Sequence, residues 1–113
     1  SRLGDDLPRR FTDSDRIKDF PTELSRERLA AFDCGDPTAD RKALDSVFAD
    51  RFGPVTAVDH TDGVRMTFAS GEILHLRPSG NAPELRAYTE AASPTRAREM
   101  NAACLDILQS WRD

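Results

Sequence analysis

Residues 62–76 read DGVRMTFASGEILHL, and this stretch decides the fold class. Val64, Met66 and Phe68 alternate with polar residues, which is the period of a β-strand that buries one face. An Asp-Gly turn signal precedes this strand, and a Ser-Gly turn signal separates it from a second apolar run. The stretch therefore predicts an antiparallel hairpin.

Outward from the hairpin, further short runs extend the pattern into an antiparallel meander. The strands are expected near residues 55–60, 63–69, 72–77 and 85–90. Residues 11–20 have only three apolar anchors, and we expect a short edge strand there.

Helix-start signals frame the remaining segments. Thr22 is the predicted N-cap of a helix that ends near Phe32, and Asp36-Pro37 opens a second helix that ends at Gly53-Pro54. Ser93-Pro94 opens a third helix by the same logic. Its apolar face carries Ala97, Met100, Cys104, Ile107, Leu108 and Trp111. These elements predict a two-layer α+β fold, an antiparallel sheet of four to five strands covered on one face by helices.

Length and charge bound the class of protein. The 113 residues suit one domain, with residues 1–8 as a linker or tail and residues 9–113 as the folded unit. The net charge of −4 argues against a dedicated duplex-DNA binder. No apolar run is long enough for a membrane span and no signal peptide is evident, which predicts a cytoplasmic protein without a membrane partner.

The other residues with reactive side chains favour structural roles. Cys34 and Cys104 are far apart and predict two reduced thiols. His60 and His75 are assigned to different strands with no carboxylate cluster nearby, so both are expected to be structural. No metal site is predicted.

The stretch with the most distinctive chemistry is residues 77–86, which read RPSGNAPELR. We expect a loop whose backbone amides are not all used by the sheet, together with the Ser79 hydroxyl and the Asn81 amide. Gly80 permits positive φ and close approach of a ligand. Arg77 and Arg86 add guanidinium groups that match phosphate geometry. These residue types equally suit an ordinary hairpin connection, so the chemistry alone leaves both readings open.

The same stretch resembles the phosphate-binding loop in the last domain of the α-D-phosphohexomutases, which typically reads R-P-S-G-T-E-P-x-x-R. The surrounding segments at residues 11–16, 59–65 and 87–91 also resemble that domain, and the likeness covers about residues 9–112. The resemblance implies the two-layer fold of the TATA-binding-protein type. It also implies that this chain is the C-terminal, fourth domain of a larger enzyme.

Carried over position by position, the resemblance implies that Arg77, Ser79, Gly80 and Asn81 contact the phosphate of a sugar phosphate. Arg86 matches the next arginine of the family pattern. Asn81 stands where threonine is usual, which replaces a hydroxyl with an amide donor. Ala82 stands where glutamate is usual, which removes an acidic group beside the loop.

For the full-length protein, the resemblance implies a phosphomannomutase or phosphoglucomutase that transfers a phosphoryl group within a hexose phosphate. Such enzymes use a phosphoserine and a Mg²⁺ loop in other domains, and this chain has neither motif. The isolated domain is thus expected to bind no cofactor and to be inactive. Its expected partners are mannose or glucose 1- or 6-phosphate and the other domains of the same enzyme.

Two rival functions remain at this point. One is a free-standing module that binds phosphate or phosphosugars without a catalytic role. The other is an RNA-binding sheet, which would need exposed aromatic side chains and a basic sheet face. Our prediction is that the chain binds no nucleic acid.

Overall fold

The computed structural model describes residues 10–79 and 82–112, which form five strands and three helices. In chain order these are β1 (Phe11–Lys18), α1 (Thr22–Ala30), α2 (Pro37–Phe52), β2 (Val55–Asp59), β3 (Val64–Phe68), β4 (Ile73–Pro78), β5 (Glu84–Ala91) and α3 (Pro94–Arg112). The predicted strands of the meander agree with β2 to β5 to within one residue at each end. The predicted linker at residues 1–8 lies outside the described residues.

All five strands belong to one antiparallel sheet in the order β1-β5-β4-β3-β2. β1 pairs with β5 over eight residues and forms the edge strand predicted for residues 11–20. One sheet face is buried beneath the helices, while the other, here called the open face, carries mostly polar side chains. The predicted α+β class, with helices covering one face, is confirmed.

Two of the three predicted helix starts are confirmed. Asp36 caps α2, because its carboxylate accepts hydrogen bonds from the amides of Thr38 and Ala39. The Ser93 hydroxyl accepts from the amide of Arg96 at the start of α3. The prediction of Thr22 as an N-cap was wrong by one position. The preceding residue Pro21 holds the cap position and its carbonyl accepts the first helical hydrogen bond.

The core lies between the helices and the covered face of the sheet. Fully buried side chains from both layers fill it, among them Phe20, Leu44, Phe48, Met66, Leu74, Leu76, Leu85, Met100 and Leu108. Trp111 packs against the rings of Phe32 and Phe48, with centroid distances of 5.7 and 6.0 Å. Its predicted place on the apolar face of α3 is therefore confirmed.

A buried polar contact fixes α3 on the sheet. The Asn101 side-chain amide donates to the carbonyl of Ala87 over 3.2 Å, and the Thr89 hydroxyl donates to the carbonyl of Ala97 over 2.9 Å. These bonds set the helix directly over β5, the strand that begins at the candidate phosphate loop. The helix thereby holds the strand that bears Arg86.

Two further features of the fold are the state of the cysteines and the character of the helices. Cys34 is exposed and Cys104 is buried, and both are free thiols, as the sequence predicted. Burial raises the pKa of the Cys104 thiol far above its ordinary value, so this thiol stays protonated. Within the described ranges, no helix has the length and apolar character that a membrane crossing requires.

Candidate functional site

Arg77 and Arg86 lie in strands, not in the loop between them. Arg77 is in β4 and Arg86 in β5, and the two residues are directly paired across the antiparallel ladder. Cross-strand partners project from the same face of a sheet, about 5 Å apart at their Cα atoms. The two guanidinium groups therefore rise side by side from the open face, at the edge where the loop begins.

The loop itself uses more of its backbone donors than the sequence suggested. The amide of Ser79 donates to the carbonyl of Glu84 over 3.0 Å, which closes the hairpin. The amide of Ala82 donates to the Ser79 hydroxyl oxygen over 3.3 Å. The amides of Ser79 and Ala82 therefore stabilise the turn, and the expectation that other loop amides are left for an anion stays a prediction. Two of the predicted contacts, Gly80 and Asn81, lie outside the described residues.

Ser79 nevertheless lies next to the arginine pair, directly after the end of β4. It follows Arg77 by two residues and is 7% exposed, so its position is fixed by packing. A hydroxyl combines one rotatable O–H donor with acceptor lone pairs, so it can take part in the turn and also meet a ligand oxygen. The structure thus brings Arg77, Ser79 and Arg86 together at one end of the sheet.

Nearby side chains orient the arginines. Arg77 forms a 2.9 Å ion pair with Asp62 of the β2–β3 turn, and its guanidinium carbon lies 5.8 Å from the centre of the Tyr88 ring. A hydrogen bond with the Tyr88 side chain raises the pKa of Arg86, which keeps this guanidinium charged. Arg86 is exposed and the Arg77 side chain is 42% exposed, so both guanidinium groups are accessible to a ligand.

Sequence reasoning missed Arg16, the cross-strand partner of Arg86 on its other side. Arg77, Arg86 and Arg16 therefore form one row across β4, β5 and β1, here called the arginine row. Ile17 is buried whereas its neighbours Arg16 and Lys18 are exposed. This alternation was readable in the sequence, but the pairing of β1 with β5 was not.

His60 has the carboxylate neighbours that the sequence analysis did not expect. Its Nε2 lies 3.7 Å from Asp40, and its Nδ1 lies 3.8 Å from Asp33. The ring also hydrogen-bonds to the carbonyl of Phe32 over 2.6 Å, which fastens the α1–α2 turn to the end of β2. The statement that no carboxylate cluster lies near His60 was wrong, although this contact with the backbone supports its structural role. His75 likewise bonds to a backbone carbonyl, that of Asp62.

Asp40, Asp33 and His60 also form the one group in the described part of the chain whose ligand atoms could surround a metal ion. Asp33 is largely exposed, and the His60 ring is already bonded to the Phe32 carbonyl. The group adjoins the turn between α1 and α2 and contains no residue of the arginine row. The absence of a metal site in this domain stays a prediction.

The buried Asp40 predicts a pH dependence of stability. The amide of Cys34 donates to its carboxylate over 2.9 Å, and this bond lowers the pKa of Asp40 below its ordinary 3.8. A carboxyl with a depressed folded pKa stabilises the fold above its unfolded pKa, and that stability is lost as the pH falls through the folded pKa. We expect Asp40→Asn to lower the melting temperature at pH 7 and to flatten its fall below pH 4, as measured by thermal unfolding.

Asp59 and Glu72 have pKa values lowered by hydrogen bonds with Thr61 and Arg96, so some pH dependence will remain in the variant. An Asp40→Asn protein with the same melting curve as the parent at every pH would contradict the assignment. The exposed Asp50 on α2 provides the matched control as Asp50→Asn.

The fold and the site together define a class of protein. It is an α+β domain whose open sheet face concentrates arginines beside a short hairpin loop. Comparison with known proteins makes the assignment specific: residues 12–107 match the family model described as phosphoglucomutase/phosphomannomutase, C-terminal domain. The chain belongs to this family, and the predicted relationship to the phosphohexomutases is confirmed.

Individual relatives agree with this assignment. The chain is 44% identical over 97 residues to a phosphomannomutase of Sinorhizobium fredii, an alignment that covers 86% of this chain and 19% of the relative. It is 34% identical over 110 residues to a phosphomannomutase of Salmonella muenchen, covering 97% of this chain and 22% of the relative. A probable phosphoglucosamine mutase of Methanobrevibacter smithii is 28% identical over 72 residues, covering 64% of this chain and 16% of the relative. The chain thus spans about a fifth of the length of the phosphomannomutases it matches.

Proposed function

We propose that this chain is the phosphate-clamp domain of a phosphohexomutase. In this role it binds the phosphate of a hexose phosphate that is not being transferred, while the rest of the enzyme moves the other phosphoryl group. The observation that carries the proposal is the direct pairing of Arg77 with Arg86 beside Ser79. Like charges opposite each other destabilise a sheet, so an anion between them would stabilise this arrangement.

The chemistry of the pair suits a phosphate. Guanidinium groups donate two parallel hydrogen bonds to phosphate oxygens, and charge-assisted bonds are stronger than neutral ones. Positioning and neutralisation of charge are the main tasks of a protein in phosphoryl transfer. A clamp that recognises phosphate more than sugar also suits a reaction in which a bisphosphorylated sugar turns round, because either phosphate can be gripped.

Activity is proposed for the full-length protein only. We expect a phosphotransferase of the mutase type, acting on mannose or glucose 1- or 6-phosphate in the cytoplasm. Its phosphoserine, its Mg²⁺ and its sugar-recognition residues are expected in other domains, which would be the partners of this one. The isolated chain is then expected to bind hexose phosphates and not to turn them over.

An amide chemical-shift titration of the chain tests the clamp. Inorganic phosphate, mannose 1-phosphate and glucose 1-phosphate are added in turn, with sodium chloride at matched ionic strength as control. We expect saturable shifts at Ser79, Arg86 and the intervening residues. The dissociation constants should be millimolar and similar for both sugars, which corresponds to a binding free energy of about −4 kcal/mol. Shifts that follow ionic strength alone, or that cluster away from this hairpin, would contradict the proposal.

A non-catalytic phosphosugar module would give the same titration, so the longer protein distinguishes the two functions. Turnover of a hexose phosphate by the longer protein, lost on removal of this domain, is expected of the mutase. The RNA-binding alternative is less well supported, because Phe68 is buried and Tyr88 is left as the aromatic side chain on the described part of the open face. Stacking on such sheets usually needs two or three aromatic side chains.

A further inference from the structure

We propose that Arg16 of β1 is a third phosphate-contacting arginine, and that the site therefore selects phosphate monoesters, which carry two negative charges. This inference rests on the proposed clamp function and extends it to a strand outside the loop. Nothing in the loop pattern itself points to β1. The argument comes from the register of the sheet, the local charge and a small cavity beside Arg86.

The register places Arg16 where a ligand bound at Arg86 would meet it. Arg86 is paired with Arg77 on one side and with Arg16 on the other. Neighbouring strands are about 4.8 Å apart, so each guanidinium can reach a group held above Arg86. Arg86 is thus the middle member of the row, and a ligand centred there has a cation on each side.

The charge around the row is positive, which favours an anion. Four cations and three carboxylates lie around the row and its cavity: Arg16, Lys18, Arg77 and Arg86, with Asp15, Asp62 and Glu84. The whole chain has a net charge of −4, so this end of the open face departs from the average of the molecule. Three adjacent arginines repel one another, and a dianion relieves that repulsion more than a monoanion does.

A cavity lies beside Arg86 on the β1 side. Its volume is ≈ 130 Å³, and its walls are formed by Ser14, Asp15, Arg16, Arg86 and Tyr88. This is room for several water molecules, at about 30 Å³ each, that a phosphate group could displace. The amide of Arg16 donates to the carboxylate of Asp15 over 2.7 Å, so this acidic neighbour is held by the backbone.

Glu84 currently holds the side chain of Arg16. The Nε atom of Arg16 lies 3.2 Å from the Glu84 carboxylate, whose side chain is only 15% exposed. A phosphate at the row would compete with Glu84 for this guanidinium. Glu84 therefore competes with the ligand for Arg16 and weakens its binding.

The test compares ligands of different charge at one pH. Methyl phosphate is a dianion at pH 8 and dimethyl phosphate is a monoanion, and amide shifts report the binding of each to the 113-residue chain. We expect the parent chain to prefer methyl phosphate, and Arg16→Gln to weaken methyl phosphate binding three- to tenfold with a smaller effect on dimethyl phosphate. Arg16→Lys should restore part of the preference for methyl phosphate. Arg98→Gln on α3 is the matched control, which should change the binding of neither methyl phosphate nor dimethyl phosphate.

Glu84→Gln separates a ligand contact from a structural ion pair. If Arg16 binds phosphate, removal of the competing carboxylate should tighten methyl phosphate binding about two- to fivefold. If the ion pair only supports the pairing of β1 with β5, the same change should weaken binding or leave it unaltered, which would overturn the inference.

Failure of the inference is distinguishable from failure of the clamp. Weaker binding in Arg77→Gln but unchanged binding and preference in Arg16→Gln would overturn the role of Arg16 and leave the clamp intact. No saturable binding of methyl phosphate by the parent chain would overturn both. Tight binding of single-stranded RNA, competing with methyl phosphate at the same amides, would replace the clamp with a nucleic-acid surface.

Discussion

Arg77→Gln is expected to weaken the binding of glucose 1-phosphate to this chain by about ten- to a hundredfold. The estimate follows from the loss of charge-assisted hydrogen bonds, worth about 1.5–3 kcal/mol, at about 1.4 kcal/mol for each factor of ten. Because the parent affinity is expected to be millimolar, the variant should show no saturation within the soluble range of the ligand. In the longer enzyme the same change should lower kcat/KM by a similar factor.

The measurement is an amide-shift titration of the variant, with steady-state kinetics on the longer protein. Arg98→Gln, an exposed arginine on α3 at a distance from the row, controls for the loss of one positive charge. Asp62, the ion-pair partner of Arg77, is itself more than half exposed, so its loss of a partner should cost little stability. Parent-like binding by a folded Arg77→Gln protein would exclude Arg77 from the site.

Local sequence signals predicted the parts of the fold that depend on neighbours in the chain. The alternation at Val64, Met66 and Phe68 identified β3, because a strand with one buried face has a period of two. Asp36 was identified as a cap because its side chain bonds to amides only two and three residues later. Thr22 failed for an equally local reason, since the carbonyl of Pro21 accepts the first helical bond and shifts the cap by one residue.

Contacts between distant segments could not be predicted in the same way. Arg16 joins the arginine row only because β1 pairs with β5, across 70 positions of chain. The cluster at His60 forms because the α1–α2 turn folds onto the end of β2, which places Asp33 and Asp40 around the ring. The family resemblance predicted Arg77 and Arg86 as phosphate contacts, whereas their direct pairing emerged only from the register.

The same dependence on distant contacts makes Gly63, among the glycines that the structure describes, the one whose replacement should cost most stability. Gly63 has a φ of +73°, and a Cβ atom added there would lie 2.1 Å from the backbone carbonyl oxygen of Leu76 in β4. A backbone atom inside a paired strand cannot move aside as the tip of a side chain can. Strained backbone costs about 1–3 kcal/mol and overpacking about as much again, so Gly63→Ala should lose about 2–6 kcal/mol of stability.

Gly71→Ala provides the matched control. Gly71 also has a positive φ, +90°, and it lies in the turn after β3, whereas Gly63 lies just before β3. Nothing lies within 4 Å of a Cβ atom added to Gly71. Gly71→Ala should therefore lose only the stability that the backbone strain costs, about 1–3 kcal/mol, and urea unfolding of both variants measures the difference. Since Asp62 precedes Gly63 and bonds to Arg77, a folded Gly63→Ala protein should also bind phosphate differently from the parent. Equal losses in the two variants would show that the β2–β3 turn yields to the added methyl group, and that it does not hold Asp62 rigidly against the arginine row.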